Sequence, residues 1–165
     1  MRHQLIAVDT AGVRWARQLP HPPLCQKALR GLSRITDHSD AWLAVALTGA
    51  ALDARRRDQW RQAGSRIALV ELTSQAIKRV CPRQRPQLEG LPHLAPTPSP
   101  MSFPSSHTAA AVAAVSAFRG LVSPSVLWVI AGTTAFSRLY LGVHFPSDVV
   151  AGALLGGVFA SPVAD

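Results

Sequence analysis

The sequence predicts an all-α fold: an integral-membrane helical bundle of about five transmembrane helices, joined by an N-terminal amphipathic helix. Three observations predict it. Apolar runs of helical length recur, bounded by charges, prolines or glycines. No stretch shows the period-two alternation of a half-buried strand. Small residues spaced by four, Gly152 and Gly156, suit close packing of helix backbones where water supplies no driving force.

In chain order, residues 1–20 hold one short apolar run broken by Asp9, with no signal-peptide pattern, and read as a loosely held arm. Residues 24–35 follow the helix-starting pair Pro22-Pro23. There Leu24, Ala28, Leu32 and Ile35 oppose Lys27, Arg30 and Arg34, the pattern of a helix lying in a membrane interface. The same pattern fits a surface helix of a soluble domain.

Asp37 to Asp40 offer N-cap side chains for the uncharged run 41–52, which stops at Asp53 before Arg55-Arg56-Arg57, Arg61 and Arg66. Segment 64–78 is less apolar and carries Arg66, Glu71 and Gln75; Glu71 reads as a helix-helix contact. Between 79 and 104 stand seven prolines, Pro82, Pro86, Pro92, Pro96, Pro98, Pro100 and Pro104. Each fixes φ and removes a donor, so this stretch is a loop, and its length marks it as an active-site rim. Three apolar segments complete the bundle, at 107–118, 121–136 and 147–164.

At 165 residues the chain has the length of one domain. The net charge of +8 fits a nucleic-acid binder in size but not in distribution. Of 17 Lys and Arg, only Arg119 and Arg138 lie beyond His107, and no aromatic residues interleave with the basic runs as a stacking platform needs. The excess charge therefore reads as juxtamembrane and phosphate-facing, with membrane lipids rather than nucleic acid as partners. Cys25 and Cys81 are too few and too isolated for a disulfide framework or a thiolate metal site.

The arginine cluster 55–66 is assigned to the cytoplasm by the positive-inside tendency. Counting segments from it brings three polar blocks to one extracytoplasmic face. The first is Lys78-Arg79-Val80-Cys81-Pro82-Arg83-Gln84-Arg85-Pro86. The second is Phe103-Pro104-Ser105-Ser106-His107-Thr108, and the third runs from Ser137-Arg138 through His144 to Asp148. Basic residues before Ile35 fall on that same face, against the tendency.

Lys78, Arg85 and Arg138 supply three positive charges suited to the equatorial oxygens of a phosphoryl group. Arg can grip two oxygens at once, whereas Lys acts as a point charge. Ser105, Ser106 and the N–H groups opening the helix at His107 add the anion cradle of a helix N-terminus. His144 is the candidate nucleophile, because Asp148 can take one ring N–H and leave the other nitrogen free to attack phosphorus. His107 is the candidate acid and base. A lone His or Arg at a segment end is more often a cap or an interfacial anchor. His3, His21, His38 and His93 stay with that bland reading, although His38 and Asp37 stand near the site in sequence order. No cluster has metal-ligand spacing, and cations flank both His107 and His144.

Taken together, the three blocks resemble the signature of the type 2 phosphatidic acid phosphatase superfamily, K-x6-RP, PSGH and SR-x5-H-x3-D. They match at every position except Ser106, where the family usually has glycine. The resemblance covers roughly the middle half of the chain. It implies a single membrane phosphatase domain over 1–165 that acts on a lipid phosphate, polyprenyl-linked or glycerolipid, through a phosphohistidine at His144, with neither metal nor other cofactor. The compact second block is most similar to small bacterial members linked to cell-envelope synthesis. A vanadate-dependent haloperoxidase-like enzyme and a non-catalytic protein that binds lipid headgroups are the alternatives. Tail, headgroup and oligomeric state are not specified by these residues.

Overall fold

The computed structural model describes residues 2–35 and 39–159. The calls made on Asp37 and His38 therefore lie outside the described residues, as does residue 36, and the last expected segment is seen only to residue 159. Among the described residues the elements are helices α1 (Arg2–Gln18), α2 (Pro23–Ile35), α3 (Asp40–Leu52), α4 (Arg57–Val80), α5 (Ser106–Ala117), α6 (Pro124–Tyr140) and α7 (Pro146–Val158). A short 3₁₀ turn at Ala54–Arg56 precedes α4.

Helix α5 is the centre, in contact with α4, α6 and α7. Its alanines Ala109, Ala110, Ala111, Ala113 and Ala114 are all buried. Small side chains allow the neighbouring backbones to close in. A Cβ added at Gly152 would run into the carbonyl oxygen of Ser105, and one at Gly156 into that of Ala109. Helix α4 turns a stripe of Trp60, Ala63, Ile67, Val70, Ser74 and Lys78 inward, the three-and-four spacing of one helix face. Phe118 fills the far end of the core between Trp42 and Trp60, with ring centroids 5.8 and 5.9 Å away.

Caps explain the boundaries. Pro124 and Pro146 occupy first-turn positions of α6 and α7, where a missing N–H costs nothing. The Ser105 hydroxyl accepts from the Thr108 N–H and starts α5. Asp53 accepts from the Arg56 N–H and side chain, which turns the chain from α3 into α4. Helix α4 consequently begins at Arg57, seven residues before the expected start, and absorbs Arg61 and Arg66.

One expectation is corrected. The N-terminal stretch is not a loose arm: α1 packs on α6 and α7, burying Asp9, Val13 and Ala16 at helical spacing. The all-α bundle is present, and among the described residues no helix is long and apolar enough to cross a membrane. Helices α3, α5, α6 and α7 have 13, 12, 17 and 13 residues, against the ~20 a span needs. Helix α4 has the length, with 24 residues, but carries charges along it. Helix α2 forms where the amphipathic pattern places it and packs against α6.

The proline-rich loop folds back on itself. Ser102 N–H donates to Arg83 O at 2.7 Å and Arg85 N–H to Pro100 O at 3.2 Å. Leu94 N–H donates to Leu141 O at 2.9 Å, which fastens the loop to the turn after α6.

Candidate active site

One end of the bundle gathers the end of α4, the starts of α5 and α7 and the end of α6. A pocket there is lined by Glu71, Gln75, Lys78, Arg85, Pro98, Ser99, Ser106, His107 and His144. Five of the eight sequence-predicted site residues are therefore on its wall: Lys78, Arg85, Ser106, His107 and His144. Arg138 and Asp148 are buried and do not line it, and Ser105 serves as the cap of α5.

His144 is delivered by a reversal that needs Gly142 at φ +72°, a conformation that costs other residues energy. The turn brings the N–H groups of Val143 and His144 back to Arg138 O, at 3.1 and 3.4 Å. Arg85 Nη1 donates to His144 Nε2 at 3.0 Å and to Val143 O at 2.8 Å, while its Nε donates to Ser99 O at 2.8 Å. A guanidinium has no acceptor, so Nε2 must present its lone pair and the ring proton sits on Nδ1. That Nδ1 is buried, 3.6 Å from Asp148 Oδ2 and just beyond hydrogen-bond reach. Burial holds the His144 pKa well below the ordinary imidazole value, and the positive charges of Arg85, Lys78 and Arg138, with His107, push the same way. The ring is a neutral base with its lone pair towards the cations.

Asp148 is fixed from three directions. Its Oδ2 accepts from the Phe145 N–H at 2.9 Å, its Oδ1 accepts from Arg83 Nη1 at 2.9 Å, and its own carbonyl accepts the Ser105 N–H at 3.0 Å. The last bond ties the starts of α5 and α7 together. Arg83 was part of the first block but had no assigned role. It also reaches Asp9 at 2.7 Å and the Ser147 hydroxyl at 2.6 Å, and its guanidinium lies 4.1 Å over the Phe145 ring. Asp9 in turn accepts the N–H and hydroxyl of Ser147 at 2.9 and 2.6 Å.

Ser33 of α2 is a second unforeseen participant. Its carbonyl accepts from His107 Nε2 at 3.2 Å, and its hydroxyl accepts from Arg138 Nη1 at 3.0 Å. Arg138 Nε and Nη2 grip the Ser137 hydroxyl at 3.0 and 2.8 Å. Lys78 Nζ donates to Pro104 O, which holds the ammonium beside the start of α5. The Ser106 hydroxyl is buried, lines the pocket and has no hydrogen-bond partner among the described residues. Asp9 was hidden by its place in an apolar run, and Ser33 carries no sequence signal at all. Among the described residues no group of three or more His, Cys, Asp and Glu side chains could hold a metal ion.

Three cations, two imidazoles, an uncommitted hydroxyl and a helix N-terminus meet here, a set suited to hold a tetrahedral oxyanion and attack its centre. Comparison with known proteins agrees with that chemistry. The family model described as the PAP2 superfamily matches residues 59–164. A decaprenylphosphoryl-5-phosphoribose phosphatase of Mycobacterium tuberculosis is 40% identical over 137 residues, 81% of this chain and 76% of the relative. Among solved structures, a transmembrane PAP2 type phosphatidylglycerolphosphate phosphatase from Bacillus subtilis superposes with a TM-score of 0.80 at 24% identity, covering 95% of this chain and 83% of that one. Aquifex aeolicus LpxE gives 0.73 at 23% identity, over 90% and 89%. At such identities these two likenesses establish the shared fold.

Proposed function

Since this chain belongs to the PAP2 superfamily, we propose that it hydrolyses the phosphate monoester or pyrophosphate of a membrane lipid, without a metal, through a phosphohistidine at His144. The observation that carries this reading is the bond from Arg85 to His144 Nε2 in a pocket also lined by Lys78, Ser106 and His107.

In the proposed cycle the phosphoryl oxygens lie among Lys78, Arg85, the Ser106 hydroxyl and the start of α5, with buried Arg138 adding positive charge. His144 Nε2 attacks phosphorus, the P–O bond to the carrier breaks, and His107 gives its proton to the departing oxygen. Asp148 then faces an imidazolium Nδ1–H and stabilises it. In the second half His107 takes a proton from water, the water oxygen attacks phosphorus, and the P–N bond breaks to release phosphate and restore His144. Charge placed in advance around the reacting centre is the largest source of rate in such a step.

The site is proposed to face the extracytoplasmic side of a membrane. Leu47, Leu69, Leu72, Trp128, Val129 and Leu154 are all exposed on the outer faces of α3, α4, α6 and α7, and apolar surface of that extent suits lipid contact. Arg55, Arg56, Arg57 and Arg61 stand around the start of α4, Arg57 about 32 Å along its axis from Lys78, and suit the cytoplasmic leaflet. The likeness to the mycobacterial relative favours a polyprenyl-linked substrate of cell-envelope synthesis, decaprenylphosphoryl-5-phosphoribose among the candidates.

The test is phosphate release by detergent-purified protein from a panel of lipid phosphates, with and without EDTA. The reading expects metal-independent release that disappears in His144→Ala, and an acid-labile phosphoenzyme on rapid quenching of labelled substrate. A protein that binds these lipids and releases nothing would be a headgroup scaffold instead.

A further inference from the structure

The end of the bundle away from His144 carries two adjoining cavities of opposite character. The first, of about 400 Å³, lies where α5, α6 and α7 meet, and its wall includes Val112, Val115, Pro124, Trp128 and Gly157. The second, of about 270 Å³, lies against α4, and its wall includes Gln59, Gln62, Arg66 and Leu121. Ser116 and Arg119 line both, so an apolar trough runs into a polar cup. The pair is remote from the proposed chemistry: Arg66 lies about 18 Å along α4 from Lys78, and Ser116 about 15 Å along α5 from Ser106.

The cup suits an anion. Arginines nearer the start of α4 are already committed, Arg56 to Asp53, Arg61 to Asp58 and Arg57 to the Ala50 carbonyl. Arg66 and Arg119 have no carboxylate partner among the described residues, and no acidic residue lines either cavity. Beside these two guanidiniums stand the Gln59 and Gln62 amides, whose N–H groups can donate to the same guest. The trough offers nothing to an ion, but it has the size and the apolar lining of a ligand site. Nothing lies within 4 Å of a Cβ added at Gly157, and Trp128 is 59% exposed, so the trough is open to a guest.

We propose that trough and cup together bind an anionic glycerophospholipid, with its phosphate between Arg66 and Arg119 and an acyl chain against Trp128. Charge complementarity selects the headgroup, because a zwitterionic lipid brings a cation of its own to a cup that holds no carboxylate. The apolar lining selects a lipid over a free phosphate, which would gain nothing from the trough. Anionic lipids give the cytoplasmic leaflet its negative surface potential, on the side to which the arginine cluster is assigned. The site rests on that membrane placement and is independent of the reaction at His144.

The experiment uses the full chain in a neutral detergent, with Trp15→Phe so that Trp128 is the exposed tryptophan, Trp42 and Trp60 being buried. Phosphatidylglycerol and phosphatidylcholine carrying the same brominated acyl chains are titrated in, and quenching of tryptophan fluorescence reports a chain in contact with Trp128. The expected half-quenching concentration is lower for phosphatidylglycerol by about tenfold or more, the scale of two arginines near an anionic lipid. Arg66→Gln and Arg119→Gln should each lower that preference about fivefold and together abolish it, with phosphate release unchanged. Deacylated phosphatidylglycerol, the same headgroup without chains, should not restore the fluorescence. Equal quenching by the two lipids overturns the proposal, and that arm needs neither arginine variant to fold. A preference that survives both substitutions, or displacement by the deacylated headgroup, overturns it as well. Quenching that fades as protein concentration rises and particle mass doubles assigns the trough to a second copy of the chain and also overturns it. Phosphate release from a lipid phosphate, measured on the same samples, tests the catalytic reading separately.

Discussion

Arg85 Nη1 donates to His144 Nε2 at 3.0 Å, so the nucleophilic lone pair of the proposed reaction already points at the cation that would share a phosphoryl oxygen with it. Arg85 is anchored at two further points, Ser99 O and Val143 O, and therefore orients the ring as well as charging the pocket. Arg85→Lys keeps the charge and loses the fork. The expected result is a fall in kcat of about 10²–10³, the usual loss for one preorganised donor at a reacting oxyanion. Steady-state kinetics on a lipid phosphate, with circular dichroism to confirm the fold, checks it.

The depressed pKa of His144, set first by burial and then by Arg85, Lys78 and Arg138, makes two predictions about pH. The nucleophile stays neutral below pH 6.5, so its protonation limits kcat/KM only at a pH below that of an ordinary imidazole. For stability, the unfolded chain binds this proton first as pH falls through about 6.5, while the folded chain does not. Folding stability is thus full above pH 6.5 and declines from there down to the folded-state pKa. Thermal melting between pH 8 and pH 5 should show that decline, and His144→Gln should reduce it.

Arg83 joins Asp9 of α1 to Asp148 beside His144. Both carboxylates are buried, with side chains 6% and 0% exposed, so removing the guanidinium strands two charges. Arg83→Met is expected to cost about 3 kcal/mol, the scale for breaking a buried pair from one side. Asp9→Asn should cost less, and the double variant less than the sum, because the two share one network. Chemical denaturation in detergent measures each.

The contact of α5 with α7 predicts opposite outcomes at neighbouring glycines. Gly152→Ala and Gly156→Ala place a methyl group against the carbonyls of Ser105 and Ala109, and should destabilise by about 1–3 kcal/mol with loss of activity. At Gly157 nothing lies within 4 Å of an added Cβ. Gly157→Ala should leave activity unchanged and add up to about 1 kcal/mol from helix propensity. Melting temperatures and phosphate release distinguish the three.

Much of this arrangement was legible in the sequence, for a physical reason. Apolar periodicity located α2, α3 and α5 to α7 because their burial follows side-chain hydrophobicity, and the proline run could be nothing but a loop. The pocket set of Lys78, Arg85, Ser106, His107 and His144 was recoverable because each stands at a segment end. What escaped were polar residues whose partners are remote in sequence. Asp9 looked like an interruption of an apolar run, yet it bonds Arg83, 74 residues on, and Ser147 of α7, and so helps to dock α1. Ser33 reaches His107 and Arg138, 74 and 105 residues away. Ser105 was expected in the anion cradle, and the folded chain spends its hydroxyl on the Thr108 N–H. Helix lengths were legible too: α3, α5 and α6 match the apolar runs that predicted them, and those runs are themselves shorter than the ~20 residues of a span.

The bond from the Ser105 N–H to the Asp148 carbonyl, reinforced by the bare backbones at Gly152 and Gly156, welds the first turns of α5 and α7. His107 rides on one of those turns and His144 leads into the other. A substitution that tilts α3 therefore loosens the wrapping of the bundle while the two imidazoles travel as a single rigid piece.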